Sequence, residues 1–152
     1  MREKLILAGR AGRIGGVADK ISPEARSRNM ARIRGRDTRP EKRVRSLLHA
    51  AGFRFRLCDR SLPGVPDIVL KKYRTVIFVN GCFWHRHENC PKATIPEHRR
   101  EFWEKKLRGN AERDVRNQER LAALGWRVIV IWQCEIDALL AAPGALFRRI
   151  RG

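Results

Sequence analysis

Acidic side chains are scarce in this 152-residue chain, in which 16 Asp and Glu residues face 34 Lys and Arg residues and leave a net charge of +18. The chain also has no apolar run that approaches the roughly 20 residues of a membrane-spanning helix. Its first residues lack the uninterrupted apolar stretch of a signal peptide. We therefore expect a cytoplasmic protein that does not enter the membrane. A large excess of positive charge on a folded chain favours a polyanionic partner, most often nucleic acid.

The content of apolar residues, 43% of the chain, is that of an ordinary folded domain and excludes a disordered basic tail as the whole protein. Residues 1–21 carry four glycines and scattered basic residues without sustained periodicity. We predict a flexible basic arm over 1–21 and a single domain over 22–152.

Helix signals begin at Ser22, an N-cap candidate that precedes Pro23, with Gly35 as the expected stop. A second helix is predicted from Thr38, where the spacing to Glu41 matches a capping box, to Gly52.

Apolar patterns predict strands at 53–57, 68–70, 75–79 and 126–132. The last of these is almost entirely apolar, which favours an interior strand covered on both faces. A helix is predicted over 97–124, with a possible break at Gly109, and one short helix or a pair of turns over 135–150. This order indicates a three-layer α/β domain with a mixed central sheet flanked by helices.

Metal-ligating side chains are concentrated just after the strand at 75–79. Cys82, His85, His87 and Cys90 fall within nine positions, and Cys134 follows the last predicted strand. Zinc prefers four Cys and His ligands, and structural sites often join a local cluster to a distant residue. The spacing does not decide which histidine is the ligand. The alternative is a set of reduced thiols packed as small apolar groups.

A carboxylate at the start of a strand is the second feature. Asp67 follows Pro66 and precedes an apolar run, and such an Asp can hold Mg²⁺ against a phosphate. Nucleases of the PD-(D/E)xK kind place an acid and a lysine on the next strand, but Phe78, Val79 and Asn80 offer neither. By itself a Pro-Asp pair is most often only a turn.

Aromatic residues form the third feature. Phe83 and Trp84 lie inside the Cys/His segment, and Trp103 lies among basic residues. Core packing is their ordinary explanation. Aromatic or methionine side chains also serve as wedges that open a DNA duplex, and Met30 on the first basic helix is a further candidate.

These motifs together closely resemble the very-short-patch-repair DNA mismatch endonucleases of bacteria over residues 22 to about 136. The block from Gly81 to His85, Gly-Cys-Phe-Trp-His, is the most specific. The remaining matching segments are Ser27–Met30, Leu62–Asp67, Val76–Phe78, Glu101–Trp103, Asn110–Asp114, Gly125–Val128 and Trp132–Cys134.

The resemblance implies a PD-(D/E)xK restriction-endonuclease-like fold that has lost its second acidic motif and carries a structural zinc site. It also implies nicking 5′ to the thymine of T:G mismatches, which arise when 5-methylcytosine is deaminated. The implied partner is double-stranded DNA that contains such a mismatch, and mismatch-repair proteins are further candidates. We expect a monomer associated with the bacterial nucleoid.

Residue roles in catalysis also follow from the resemblance. Asp67 and the Val79 carbonyl would bind catalytic Mg²⁺, and His85 would be the general base. Asp114 and Glu41 would orient His85 or metal-bound water, although Glu41 is equally explained as a helix cap. Some relatives have histidine where this chain has Asn80, which can orient a water but cannot act as a base.

The resemblance assigns the structural and DNA-contacting residues as well. Structural Zn²⁺ would be held by Cys82, His87, Cys90 and Cys134. Phe83, Trp84 and Trp103 would intercalate beside the mismatch, and Met30 would enter from the other groove.

Two alternatives remain at this point. The first is a zinc-containing module that binds mismatched DNA without cleaving it, suggested by Asn80 and the lost acidic motif. The second is a nuclease with a different DNA target.

Overall fold

The computed structural model describes residues 22–32 and 35–152. Backbone contacts divide the chain into two units, with the boundary after Ala31. Helix α1 spans Pro23–Arg32, and Ser22 Oγ accepts a hydrogen bond from Ala25 N at 3.2 Å, as an N-cap does. The predicted arm at 1–21 and the side chain of Met30 lie outside the described residues. The boundary between arm and domain stays a prediction.

Helix α2 spans Arg39–Ala50 and starts as the capping-box spacing predicts. Thr38 Oγ1 accepts a hydrogen bond from Glu41 N at 3.4 Å and donates one to Glu41 Oε1 at 2.8 Å. The other carboxylate oxygen of Glu41 accepts from Asp37 N at 3.0 Å, so the helix start is closed by side chains. The helix gives way to Gly52, whose φ of +83° is one that favours glycine.

Four strands form one mixed sheet in the order in which they occur along the chain. They are β1 Arg56–Leu57, β2 Ile68–Leu70, β3 Thr75–Asn80 and β4 Arg127–Trp132. β1 pairs with β2 and β2 with β3 in antiparallel fashion, so β2 and β3 form a hairpin. β3 and β4 are parallel, and their last paired residues are Asn80 and Trp132.

Helices cover both faces of this sheet. On one face α2 packs with α4 (Ile136–Ala141) and α5 (Gly144–Arg151) around a core that includes Leu48 and Ile77. On the other face the core of Val69, Val76 and Leu121 lies beneath α3 (Arg100–Ala123). Because side chains alternate along a strand, each strand serves both cores. The predicted three-layer α/β architecture is confirmed.

The structure corrects several predicted boundaries. The first strand has two residues instead of five, because Phe53–Phe55 lies outside the ladder although Phe53 is buried. α3 starts at Arg100 instead of residue 97 and runs through Gly109 without a break. The region after 135 forms two helices rather than one. Within residues 22–32 and 35–152, no helix combines the length and the apolar character that crossing a membrane requires.

The prediction that residues 126–132 form an interior strand is wrong in one respect. Both faces of β4 are covered, since Ile129 and Ile131 are buried on one side and Val128 packs on the other. Yet β4 is the last strand of the sheet formed by the described residues. An apolar strand sequence indicates that both faces of the strand are buried, here by two helical layers. It does not indicate whether another strand pairs with each of its edges.

Leu48→Ala should lower the free energy of unfolding by about 2–5 kcal/mol, because it opens a cavity at a fully buried core position. Leu124→Ala removes the same atoms from a side chain that is 53% exposed and serves as the control. Urea unfolding of both variants measures the difference. Equal losses would contradict the assignment of Leu48 to the core.

Candidate functional site

The predicted site residues of the larger unit gather at one edge of the sheet. Parallel β3 and β4 both end there, so the loop after Asn80 and the turn containing Cys134 meet. β2 runs antiparallel to β3, which puts its start, immediately after Asp67, at the same edge. Strand direction alone therefore brings together three segments that are far apart in sequence.

Asp67 is a half-buried carboxylate fixed against the end of β3. Its Oδ2 accepts a hydrogen bond from Val79 N at 2.7 Å. Burial raises the pKa of Asp67 to about 6, and the charge of Glu41 adds to the rise. The Val79 hydrogen bond, the positive charge of Arg45 and the nearby His85 side chain act in the opposite direction. A cation bound nearby would stabilise the ionised form of this carboxylate, which burial disfavours.

Glu41 is only 4% exposed, and its carboxylate closes the start of α2 as described above. Arg45 Nη2 also lies 2.7 Å from Glu41 Oε2. Both sequence-based explanations therefore remain compatible with its position, because the residue is a helix cap and its charge is felt by Asp67.

His85 is paired with Asp114 of α3. His85 Nδ1 lies 2.5 Å from Asp114 Oδ2, and the two side chains are 32% and 25% exposed. With Nδ1–H donating to the carboxylate, Nε2 is the ring nitrogen that can accept a proton. The same helix holds the loop backbone, since Asn110 Nδ2 donates to the Trp84 carbonyl at 3.1 Å.

A second cluster is formed by Cys and His side chains of this loop and of the turn after β4. The ligand atoms of Cys82, His87, Cys90 and Cys134 all lie within 4.8 Å of one another. Cys134 Sγ is 3.3 Å from His87 Nδ1, and the His87 ring stacks on Trp132 with centroids 4.2 Å apart. Tetrahedral zinc with bonds of about 2.0–2.3 Å requires donors separated by distances of this order, so the cluster fits such an ion.

The fold separates the two histidines that the spacing left equivalent. His85 N donates to the Gly81 carbonyl at 3.2 Å and His87 N to the Cys82 carbonyl at 2.9 Å. Between them Arg86 has a φ of +51°, so the chain turns and presents the two imidazoles to different partners. His87 joins the cysteines, and His85 does not.

The aromatic residues named from the sequence form one cluster beside the His85 loop. The ring centroids of Phe83 lie 5.1 Å from Trp84 and 5.4 Å from Trp103, and Trp84 and Trp103 are 6.1 Å apart. Trp103 is 9% exposed, and the other two are half-buried. The three rings therefore pack on one another next to the loop that carries His85.

Asn80 is 6% exposed at the end of β3, opposite Trp132. Val79 precedes it and contacts Asp67 through its N–H. The structure thus places all the predicted catalytic residues at this edge, whereas Met30 lies outside the described side chains.

Three residues of the site were not singled out from the sequence: Asn110, which holds the loop; Lys106, whose Nζ lies 5.6 Å from the ring centroids of Trp84 and Trp103; and Arg45. Helical spacing could have revealed the first, because Trp103, Asn110 and Asp114 share one face of α3.

Comparison with known proteins agrees with this geometry. The sequence profile of the DNA mismatch endonuclease Vsr family matches residues 18–92. The DNA mismatch endonuclease Vsr of Escherichia coli K12 is 49% identical over 120 residues, which cover 79% of this chain and 76% of that protein. The chain belongs to the Vsr DNA mismatch endonuclease family. The family predicted from the sequence is confirmed.

Other relatives of this Vsr-family chain are nicking enzymes. The type II nicking enzyme V.XorIIP of Xanthomonas oryzae pv. oryzae is 50% identical over 135 residues, 89% of this chain and 96% of that protein. V.NmeAIP of Neisseria meningitidis serogroup A is 43% identical over the same shares of the two chains. The protein is therefore an endodeoxyribonuclease of the nicking type with a restriction-endonuclease-like fold, and the Cys/His cluster is a possible metal site.

Asp67→Asn should stabilise the metal-free protein above pH 6, by up to about 3 kcal/mol, since each pKa unit corresponds to about 1.4 kcal/mol. Folding raises the pKa of Asp67 from 3.8 to about 6. The ionised carboxyl group therefore lowers the free energy of unfolding in full above pH 6 and not at all below pH 3.8. The gain should shrink as the pH falls from 6 to 4 and vanish below that. Thermal unfolding in EDTA measures it.

The control for this prediction is Asp137→Asn, which neutralises a carboxylate that is 86% exposed and pairs with Arg43 at the surface. It should leave the stability nearly unchanged at every pH. If Asp67→Asn stabilised no more than the control, burial of the Asp67 charge would carry no cost.

Proposed function

We propose that this Vsr-family endonuclease nicks double-stranded DNA 5′ to the thymine of T:G mismatches that arise from deamination of 5-methylcytosine, in a Mg²⁺-dependent reaction. The observation that carries the proposal is the His85–Asp114 pair beside the half-buried Asp67 carboxylate. Support also comes from relatives that are a mismatch endonuclease and nicking enzymes.

The donor set at Asp67 fits Mg²⁺, which prefers oxygen ligands. The Asp67 carboxylate and the Val79 carbonyl would hold the ion, and Asp67 is a buried anion that a cation stabilises. When bound, Mg²⁺ supplies stabilisation of the negative charge that develops on the phosphate under attack.

His85 and Asp114 perform the proton transfer in this proposal. His85 Nε2 takes a proton from the attacking water, while Nδ1–H stays hydrogen-bonded to Asp114. Asp114 keeps the imidazole in that tautomer and stabilises the imidazolium that forms. In-line attack by the water breaks the bond to the 3′ oxygen, which leaves 3′-hydroxyl and 5′-phosphate ends.

Glu41 and Asn80 have orienting roles in the proposal. Glu41 directs a water at the Asp67 site while it caps α2, and Asn80 holds a water by hydrogen bonding at the end of β3. An amide cannot accept a proton at neutral pH, so His85 is the only general base of the proposed mechanism.

A structural Zn²⁺ at Cys82, His87, Cys90 and Cys134 would fix the loop that carries His85. The ion would join that loop to the turn after β4, which constrains both ends of the segment between Cys82 and Cys90.

Recognition is assigned to the aromatic cluster. Phe83, Trp84 and Trp103 would insert beside the mismatch, where base pairs are most easily unstacked, and Met30 would enter from the opposite groove. The net charge of +18 favours phosphate contacts over the flanking duplex. In the cell we propose a monomer acting on DNA of the nucleoid, with mismatch-repair proteins as candidate partners.

The decisive experiment is a nicking assay on end-labelled duplexes that carry T:G, T:A or C:G at one position, with Mg²⁺ or EDTA. We expect one Mg²⁺-dependent cut, 5′ to the mismatched thymine. Asp67→Ala and His85→Ala should each abolish it, since they remove the ion ligand and the base.

Equal cutting of matched duplexes would overturn T:G specificity and indicate another DNA target. Cutting in EDTA would overturn the Mg²⁺ requirement. His49→Ala is the control for His85, because His49 is an exposed residue in the last turn of α2 and should leave nicking unchanged.

Cys134→Ser should lower both the zinc content and the melting temperature, because structural zinc contributes directly to folding free energy. Zinc per chain is measured by atomic emission and unfolding by calorimetry. Cys58→Ser, which changes a thiol outside the cluster, should alter neither. Full zinc occupancy in Cys134→Ser would contradict the ligand set.

A further inference from the structure

Arg45 is a largely buried cation of α2 whose charge acts on Asp67, and the proposed mechanism does not use it. Its side chain is 12% exposed and bridges two carboxylates. Nη1 lies 2.5 Å from Asp37 Oδ1, and Nη2 lies 2.7 Å from Glu41 Oε2. An arginine four residues after a glutamate on a helix is usually a surface pair worth little. Here the Glu41 side chain is only 5% exposed, although the second partner, Asp37, is 60% exposed.

The hydrogen bonding of Arg45 is incomplete. Its Nε is buried and has no hydrogen-bond partner among the residues that the structure describes. A buried donor without a partner costs about 1–3 kcal/mol. The fold therefore keeps the Arg45 guanidinium on the carboxylates of Asp37 and Glu41, although its Nε is removed from water without gaining a partner among the described residues.

The position of Arg45 on α2 directs it toward the catalytic edge. Glu41, Val44, Arg45 and Leu48 follow the spacing that shares one helix face, and Val44 and Leu48 of that face are fully buried in the core beneath the sheet. The charges of Glu41 and Arg45 both act on Asp67, with opposite signs. Arg45 thus offsets the repulsion between the Glu41 and Asp67 carboxylates.

A fixed cation is the component that β3 lacks. PD-(D/E)xK nucleases carry a lysine on the strand after the metal-binding Asp, and here Phe78, Val79 and Asn80 occupy that strand end. We propose that Arg45 supplies this positive charge from α2, and that it is a positioning residue that fixes Glu41 for the nicking reaction. This inference rests on the proposed function of Asp67 and Glu41.

The consequence for catalysis follows from the contacts of Glu41. Both carboxylate oxygens are engaged, one by the Thr38 hydroxyl and the other by Asp37 N and Arg45. Held in this way, Glu41 keeps one orientation toward a water at the Asp67 site. Without Arg45 the region around Glu41 and Asp67 has more net negative charge, so it attracts a divalent cation more strongly. Glu41 also loses its fixed orientation.

The test compares Arg45→Met with Arg43→Met. Arg43 lies on the same helix as Arg45 and pairs at the surface with Asp137 of α4. Arg45→Met should lower kcat for T:G nicking by about 10–100-fold, the range for residues that orient ligands, and leave KM for DNA unchanged. Calorimetric titration of Mg²⁺ without DNA should show binding at least about threefold tighter. Arg43→Met should match the unchanged protein in all three measurements.

Arg45→Met leaves Glu41 buried without its cation, so loss of folding must be separated from loss of positioning. Glu41→Gln and the double variant Glu41→Gln/Arg45→Met complete a cycle, and the double variant carries neither charge. Because Arg45 acts through Glu41, Arg45→Met should have no further effect on kcat in the Glu41→Gln background.

Three results would overturn the inference: additive losses of kcat in the cycle, unchanged or weaker Mg²⁺ binding by Arg45→Met, or nicking by Arg45→Met at the rate of Arg43→Met. Asp67→Ala, run alongside, separates this inference from the proposed function. An active Asp67→Ala would overturn the proposed function itself. An inactive Asp67→Ala with a fully active Arg45→Met would overturn only the role of Arg45.

Discussion

The parallel pairing of β3 with β4 is the constraint on which the rest of the site depends. It ends both strands at one edge, so the loop after Asn80 meets the turn that contains Cys134. The antiparallel partner β2 then delivers Asp67 to the same edge. Apolar residues on both faces of β3 and β4 hold this pairing through two cores, and α3 places Asp114 opposite His85 from the second layer. The candidate site at this edge therefore depends for its geometry on the burial of apolar residues in the two cores.

Two charges at that edge are kept at a cost to stability. Asp67 is an anion whose burial raises its pKa to about 6, and Arg45 is a cation with an unpartnered Nε among the described residues. Metal-binding and catalytic sites commonly retain such charged groups although they lower the stability of the fold, because ligand binding or the reaction requires them. The apolar cores on either side supply the stability that these groups subtract.

Local signals made most of the fold predictable. The Thr38–Glu41 spacing located α2, and continuous apolar runs located β2, β3 and β4, because caps and buried strands depend on neighbours in sequence. The edge position of β4 was not predictable, since an apolar strand looks the same whether helices or strands surround it. The choice between His85 and His87 depended on the backbone turn at Arg86, which sequence spacing does not report. Arg45 was missed because its pairing with Glu41 is indistinguishable in sequence from a surface pair.

The segment from Cys82 to Cys90 contacts two different sets of partners. Cys82, His87 and Cys90 face the cysteine of the β4 turn, while His85 faces α3 and Phe83 and Trp84 pack with Trp103. One inserted or deleted residue between Cys82 and His87 would shift both sets at once. Over evolutionary time the stretch from Cys82 to His87 should therefore resist insertions and deletions more strongly than the exposed surface of α3.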